Sequence, residues 1–362
     1  MVYLLLYPLK HYVSFFNIFR YITFRAAYAA TLALIICLLL GPWFIKTLRK
    51  YSIGQNIRNE VPRLHMTKAG TPSMGGLLII SAIVIATLLF ADLKNLNIIV
   101  GIFVLLSFGA LGYADDYHKI RRNNARGLSI KTKLFYQIII SIIAALILFY
   151  FSANKEIVTM TNFPFFKNIN INFKHFFIPW VVLILLVTSN AVNFADGLDG
   201  LATGLLGIAS LGYGILTYVS GHGKISTYLN ILYVPGAGEM SVICFAVLGA
   251  CLGFLWFNSH PAQIFMGDTG SLPLGAIIGY SAIVSKHEFL FVLIGGVFLL
   301  EIFTVFIQVV YFHLTHGKRI FRMAPLHHHF ELCGWPEPKI VVRFWILGII
   351  SAILAISTLK IR

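Results

Sequence analysis

Ten runs of nearly uninterrupted apolar sequence decide what this chain can become. They fall at Ala26–Ile45, Met74–Ala91, Ile98–Ala114, Leu134–Ser152 and Phe176–Asn193, then at Leu198–Val219, Met240–Phe257, Leu272–Ser285, Phe289–His313 and Ile340–Leu359. A helix needs about 20 apolar residues to cross a bilayer, within a range of about 17–25, and only the eighth run is clearly short. Apolar residues make up 58% of the 362 and charged residues 11%, against roughly 45–50% and 25% in soluble domains. Too few polar side chains remain to coat a water-soluble fold of this size, and disorder, collagen and a disulfide scaffold are excluded as well. The pattern predicts an all-α, polytopic membrane protein with ten transmembrane helices. Residues 1–25, where Pro8, Lys10, Arg20 and Arg25 break an apolar and aromatic stretch, read as an interfacial segment without the marks of a signal peptide. Residues 26–362 read as one ten-helix domain.

Charge sets the orientation. There are 28 Lys and Arg against 13 Asp and Glu, a formal +15. The loops after odd-numbered runs hold sixteen Lys and Arg and those after even-numbered runs six. By the positive-inside tendency the odd loops are cytoplasmic and both termini lie outside, on the periplasmic side. The basic residues sit in short loops rather than on one soluble face, so nucleic acid is not an expected partner. Cys37, Cys244 and Cys251 lie in apolar runs and Cys333 in a loop, with no metal-ligand or redox spacing, and read as packing residues.

Acids are scarce, so their positions inform. Of six Asp, five fall in odd-numbered loops or at the adjoining span ends: Asp115, Asp116, Asp196, Asp199 and Asp268. Ionisable groups near membrane depth are costly and usually mark a site. Asp115 and Asp116 are adjacent, so one holds its proton longer or a cation sits between them; Lys119 follows one helical turn later, and Lys131 and Lys133 return at the start of span four. In Asn190-Ala-Val-Asn-Phe-Ala-Asp-Gly-Leu-Asp-Gly200, Asn190 and Asn193 share a helical face, and two glycines allow a ligand to approach the backbone around Asp196 and Asp199. The segment from Asn258 to Ser271 has no Lys or Arg; Asp268 there has the character of a hard-cation ligand, and Phe265 that of a base-stacking residue. In Met323-Ala-Pro-Leu-His-His-His-Phe-Glu331 three consecutive imidazoles diverge too much for one zinc ion, so His327, His328 and His329 suit phosphate hydrogen bonding or proton transfer better. Lys68-Ala-Gly-Thr-Pro-Ser-Met-Gly-Gly76 has the glycines and hydroxyls, Ser73 among them, of a phosphate-cradling turn, although it lacks the P-loop spacing. Glu301 and Gln308 lie two turns apart on one face of span nine, a polar pair facing the bundle interior or a bend that helps shape a lipid groove.

Together these motifs resemble the polyprenyl-phosphate N-acetylhexosamine-1-phosphate transferase superfamily and, within it, the phospho-N-acetylmuramoyl-pentapeptide transferases; the His-triplet segment is the most specific part. The resemblance runs from Lys68 to Arg343. It implies a multi-pass enzyme of the bacterial cytoplasmic (inner) membrane with its active site at the cytoplasmic face. The implied reaction transfers phospho-N-acetylmuramoyl-pentapeptide from a UDP carrier to undecaprenyl phosphate, giving lipid I and UMP with Mg²⁺. On that basis Asp115, Asp116, Asp268 and His327 are the expected catalytic residues, with Asp268 as the Mg²⁺ ligand. Lys68, Ser73, Lys119, Lys131, Asn190, Asn193, Asp196, Asp199, Asn258, Phe265, His328 and His329 are the expected substrate contacts. A homodimer in membrane lipid is a family-level expectation. Two other readings stand beside it: a relative using UDP-N-acetylglucosamine or another sugar nucleotide, and a secondary transporter, whose carboxylates would sit near the midplane.

Overall fold

A computed structural model describes residues 7–50, 70–121, 127–164, 166 and 170–360. Each of the ten apolar runs is occupied by a helix: α1 (Ile22–Lys50), α2 (Gly76–Phe90), α3 (Leu96–Arg121), α4 (Ile130–Phe151), α5 (Phe177–Ala195), α6 (Leu201–Ser220), α7 (Met240–Asn258), α8 (Asp268–Ser285), α9 (Gly296–Leu314) and α10 (Glu337–Ser357). Eight of them are long and apolar enough to cross a membrane; α2, with 15 residues, and α8 are not among these. The shortfall of α8 has a physical reason. Every residue from Thr269 to Ser285 is buried, so α8 meets protein rather than lipid, chiefly α3, α5 and α6, and tolerates Ser, Thr and Tyr.

Small residues set the closest packing. Ala26, Ala29, Ala33, Cys37 and Gly41 recur every third or fourth position on α1, are buried, and pack on α7. In a membrane, where tails are as apolar as side chains, such stripes let helices approach and gain dispersion contacts.

Three departures from the sequence reading are local. A two-stranded antiparallel hairpin, Met160–Asn162 with Asn170–Asn172, interrupts the all-α pattern between α4 and α5; three-residue strands are too short to leave a periodicity. Asn162 donates its N–H to the Lys286 carbonyl at 2.9 Å, tying the hairpin to the end of α8. Beside it Lys286, His287 and Glu288 are buried; the Lys286 ammonium donates to the Val158 carbonyl (2.6 Å) and the Thr161 hydroxyl bonds to the Glu288 carboxylate.

Tyr7–His11 and Ser14–Arg20 form two 3₁₀ turns, and α1 starts at Ile22, four residues before the apolar run. Arg25 is therefore on the first turn of α1 and buried in the bundle. Its guanidinium meets Glu239 through two bonds of 2.7 and 2.6 Å and donates to the Phe90 carbonyl at 3.1 Å, a bidentate pair that neutralises the buried cation with a partly buried carboxylate. Finally, the expected ninth span is broken at Gly295, between a short helix Phe291–Ile294 and α9.

Candidate active site

The centre forms where α3 and α8 touch. A Cβ on Gly112 would lie 2.1 Å from the Asp268 carbonyl oxygen, so only glycine lets the two backbones come this close. Asp115 and Asp116, three and four residues on, fall on the same face of α3. Asp268 opens α8. Ligand oxygens of the three carboxylates lie within 4.8 Å of one another.

Two ammonium groups balance them. Lys119 Nζ stands 2.6 Å from Asp115 Oδ2, 3.3 Å from Asp116 Oδ1 and 3.1 Å from Asp268 Oδ2. Lys133 Nζ reaches Asp268 Oδ2 at 2.7 Å. Among the described residues, with all groups ionised, the three carboxylates and two ammonium groups leave one negative charge. Neutral donors fix the carboxylates further. The Thr269 N–H and hydroxyl donate to Asp116 Oδ2 (2.9 and 2.7 Å), and the Leu128 N–H donates to Asp115 Oδ1 (2.8 Å). Asn193 Nδ2 donates to Asp268 Oδ1 and Ser271 Oγ, each at 2.8 Å. Three converging carboxylates with an uncompensated negative charge are a donor set suited to a hard divalent cation.

The lysine that α4 brings to the centre is Lys133. Lys131, expected at the phosphates, is exposed. The buried face of α4 runs through Gln137, Ser141 and Ala145, and one turn back from Gln137 is Lys133. Of the two amides on α5 only Asn193 reaches the carboxylates; Asn190 sits a turn deeper, donating to Gln137 Oε1 and the Leu186 carbonyl, both at 2.9 Å.

Asp196 caps the end of α5. Burial, reinforced by the negative charges of Asp268 and Asp116, pushes its carboxyl up to about 8. Beside it, a Cβ on Gly197 would lie 2.3 Å from His327 Nε2, so the His-bearing helix Leu326–Leu332 leans onto the Asp196–Gly197 turn. His327 is buried; its Nδ1 is 3.1 Å from Glu301 Oε2, and its Nε2 has no partner among the described residues. The sequence pairs Glu301 with Gln308 on one face of span nine, and no spacing rule links it to His327. The other two imidazoles diverge, as expected from their adjacency: His328 Nδ1 is 2.6 Å from Glu331 Oε2, and His329 Nδ1 accepts the Arg322 N–H at 3.1 Å. Gln308 Oε1 accepts the N–H groups of Ile320 and Phe321, holding the basic loop against α9.

Several expected contacts are occupied within the protein. Asp199 Oδ2 accepts the Ala262 N–H (3.0 Å) and lies 3.1 Å from His260 Nδ1, in a separate group with Glu337. Asn258 spends both ends of its amide, on the Thr203 hydroxyl (2.8 Å) and the Ile264 carbonyl (2.9 Å). Phe265 is half-buried and its carbonyl accepts the Gly75 N–H, while that of Met266 accepts the Gly76 N–H, both at 2.9 Å. Two N–H groups of the supposed phosphate cradle are thus engaged in seating the loop before α8. Ser73 is buried beside Gly267. Lys68 lies outside the described residues.

Residues 97–286 match the family model Glycosyl transferase family 4, and residues 68–80 match phospho-N-acetylmuramoyl-pentapeptide-transferase signature 1. The chain is 48% identical over 362 residues to a phospho-N-acetylmuramoyl-pentapeptide-transferase of Thermodesulfovibrio yellowstonii. It is 50% identical over 363 residues to one of Desulfatibacillum aliphaticivorans and 50% over 362 to one of Syntrophus aciditrophicus, and each match spans 100% of both chains.

Proposed function

The chain belongs to the phospho-N-acetylmuramoyl-pentapeptide-transferase family, and from that premise we propose that it transfers phospho-N-acetylmuramoyl-pentapeptide from its UDP carrier to undecaprenyl phosphate, giving lipid I and UMP in peptidoglycan synthesis. The observation that carries the reading is the Asp115–Asp116–Asp268 centre with Lys119 and Lys133 at one end of an apolar bundle. A soluble nucleotide and a lipid phosphate can both reach that place. A transport site would need its carboxylates near the midplane.

An oxygen of the lipid phosphate attacks the sugar-bearing phosphorus, a new pyrophosphate bond forms, and the old one breaks with UMP leaving. One anhydride is exchanged for another, so positioning and charge neutralisation carry the catalysis. Mg²⁺ is the cation proposed for the three carboxylates, with Asp268 its principal ligand; bound there it would neutralise pyrophosphate oxygens and the departing UMP. Lys119 and Lys133 supply mobile positive charge that can pass from carboxylate to phosphate. Asp115, held by Leu128 and Lys119, orients the incoming lipid phosphate or takes its proton. Asp196 and Asn193 face the nucleotide and sugar. His327, anchored by Glu301, offers Nε2 to the transferring group.

The alternative to direct transfer makes Asp268 or Asp115 a covalent nucleophile. Ten spans, external termini, a cytoplasmic-membrane location and a homodimer belong to the same proposal. The test supplies membranes holding the protein with undecaprenyl phosphate and either UDP-N-acetylmuramoyl-pentapeptide or UDP-N-acetylglucosamine. UMP release with the first is expected; release with the second alone would refute the muramoyl assignment. Release of UMP before lipid is added would refute direct transfer.

A further inference from the structure

Beside the Leu326–Leu332 helix, an apolar cavity of about 370 Å³ lies between α9 and α10, within the size range of ligand sites, about 300–1,000 Å³. Leu300, Leu326, Phe330 and Phe344 line it, and Leu300 and Leu347 are 52% and 48% exposed, so the cavity opens sideways toward the lipid-facing surface. One lining residue carries charge. Arg343 holds its guanidinium carbon 4.2 Å from the centroid of the Trp335 ring, and Lys339, one turn earlier on α10, holds Nζ 5.9 Å from the same ring.

Among the described residues neither cation has a carboxylate within ion-pair distance. The nearby acids are engaged elsewhere: Glu337 accepts the Asp199 N–H at 2.7 Å, and Glu331 bonds to His328 at 2.6 Å. A charge this close to hydrocarbon is costly unless it is paired. The guanidinium lies over the indole and has no hydrogen-bond partner among the described residues, so it can offer two N–H groups to a phosphate. Basic pockets between membrane helices bind anionic headgroups on this logic.

We propose that the cavity is a binding site for an anionic phospholipid, with an acyl chain between α9 and α10 and the phosphate on Arg343 and Lys339. The occupant is not the acceptor substrate. A reacting phosphate must reach Asp115 and Asp268, and neither residue borders the cavity. The site does not depend on the transferase reading, and the test does not measure catalysis.

The full chain, stripped of lipid in a nonionic detergent, is given phosphatidylglycerol or phosphatidylcholine with identical acyl chains. Tm is followed, and retained lipid is counted by native mass spectrometry. Phosphatidylglycerol should raise Tm by several degrees more than phosphatidylcholine and remain bound at one molecule per chain. Arg343→Gln should abolish that difference, and Leu347→Trp, which fills the cavity, should reduce retained lipid at least threefold. If Arg343→Gln does not fold, Lys339→Gln should still halve the difference. Equal shifts with the two lipids, or a phosphatidylglycerol-specific shift that survives both Arg343→Gln and Lys339→Gln, would overturn the proposal. Displacement of phosphatidylglycerol by equimolar undecaprenyl phosphate would overturn it too, by giving the cavity to the acceptor.

Discussion

Replacing Gly112 by alanine tests whether the α3–α8 contact sets the catalytic geometry. The new Cβ would meet the Asp268 carbonyl oxygen at 2.1 Å, the Asp268 carbonyl carbon at 2.6 Å and Thr269 Cα at 2.8 Å. All three are backbone atoms, so no rotamer change relieves the clash. Ordinary contact starts near 3.4 Å, which requires the helices to separate by about 1.3 Å. Asp115 and Asp116 move with α3 and Asp268 with α8, so the 3.1 Å Lys119–Asp268 bridge opens past ion-pair distance. A misplacement of about 1 Å costs on the order of 100-fold in rate, about 2.7 kcal/mol of barrier. Overpacking itself costs about 1–3 kcal/mol of stability. The assay is UMP release at saturating substrates, with size-exclusion profile and Tm recorded for the same preparation. Gly296→Ala is the control, because its nearest neighbour is Ser351 Oγ at 3.9 Å. A folded Gly112→Ala protein within threefold of the parent's kcat would refute the reasoning.

Three further outcomes are expected. Glu301→Gln keeps the shape of the His327 partner but removes its charge, and should lower kcat by about tenfold or more with little change in KM; unaltered kcat would remove the positioning role. Arg25→Ala strands the Glu239 carboxylate and should cost about 3–5 kcal/mol, seen as a large fall in Tm in detergent, whereas Arg25→Met with Glu239→Leu should cost less; equal losses would argue against a charge-compensated pair. Burial pushes Glu288 from 4.5 up to about 7, opposed by the nearby Lys286 ammonium. The folded protein thus keeps a proton that the unfolded chain releases, and stability falls as pH rises from about 4.5 to 7, by about 3 kcal/mol at most. Melting curves of Glu288→Gln should lack that slope; an identical slope would assign it to another group.

The helices were legible because lipid leaves a spanning chain few alternatives to helix, and each apolar run holds one. The carboxylate centre was legible because Asp is rare and sits at one end of the spans. Partners far apart in sequence were not. Arg25 and Glu239 are separated by 214 residues and Glu301 and His327 by 26, and only the packed bundle brings them together. Lys131 and Lys133 stand together before the apolar run that starts at Leu134, and nothing in that run tells which of them turns inward. The helix begins at Ile130, where Ser129 Oγ accepts the Thr132 N–H at 3.1 Å. A capping Ser three residues before a Thr is a weak start signal, but once it is read, the i, i+4 relation to Gln137 turns Lys133 inward. The glycines of the Lys68–Gly76 segment were read as a phosphate cradle; at Gly76 a Cβ would fall 2.1 Å from the Gly270 nitrogen, so backbone contact with the start of α8 explains it.

Metal-dependent release of UMP is the most direct measure of the Asp115–Asp116–Asp268 centre. With UDP-N-acetylmuramoyl-pentapeptide and undecaprenyl phosphate, release should require Mg²⁺ and stop on chelation. Asp268→Asn, which keeps the side-chain size but removes the charge facing Lys119 and Lys133, should lose at least about 100-fold in kcat. Full activity in that variant, or UMP release undiminished by chelator, would contradict a metal-assisted phosphoryl transfer at this centre.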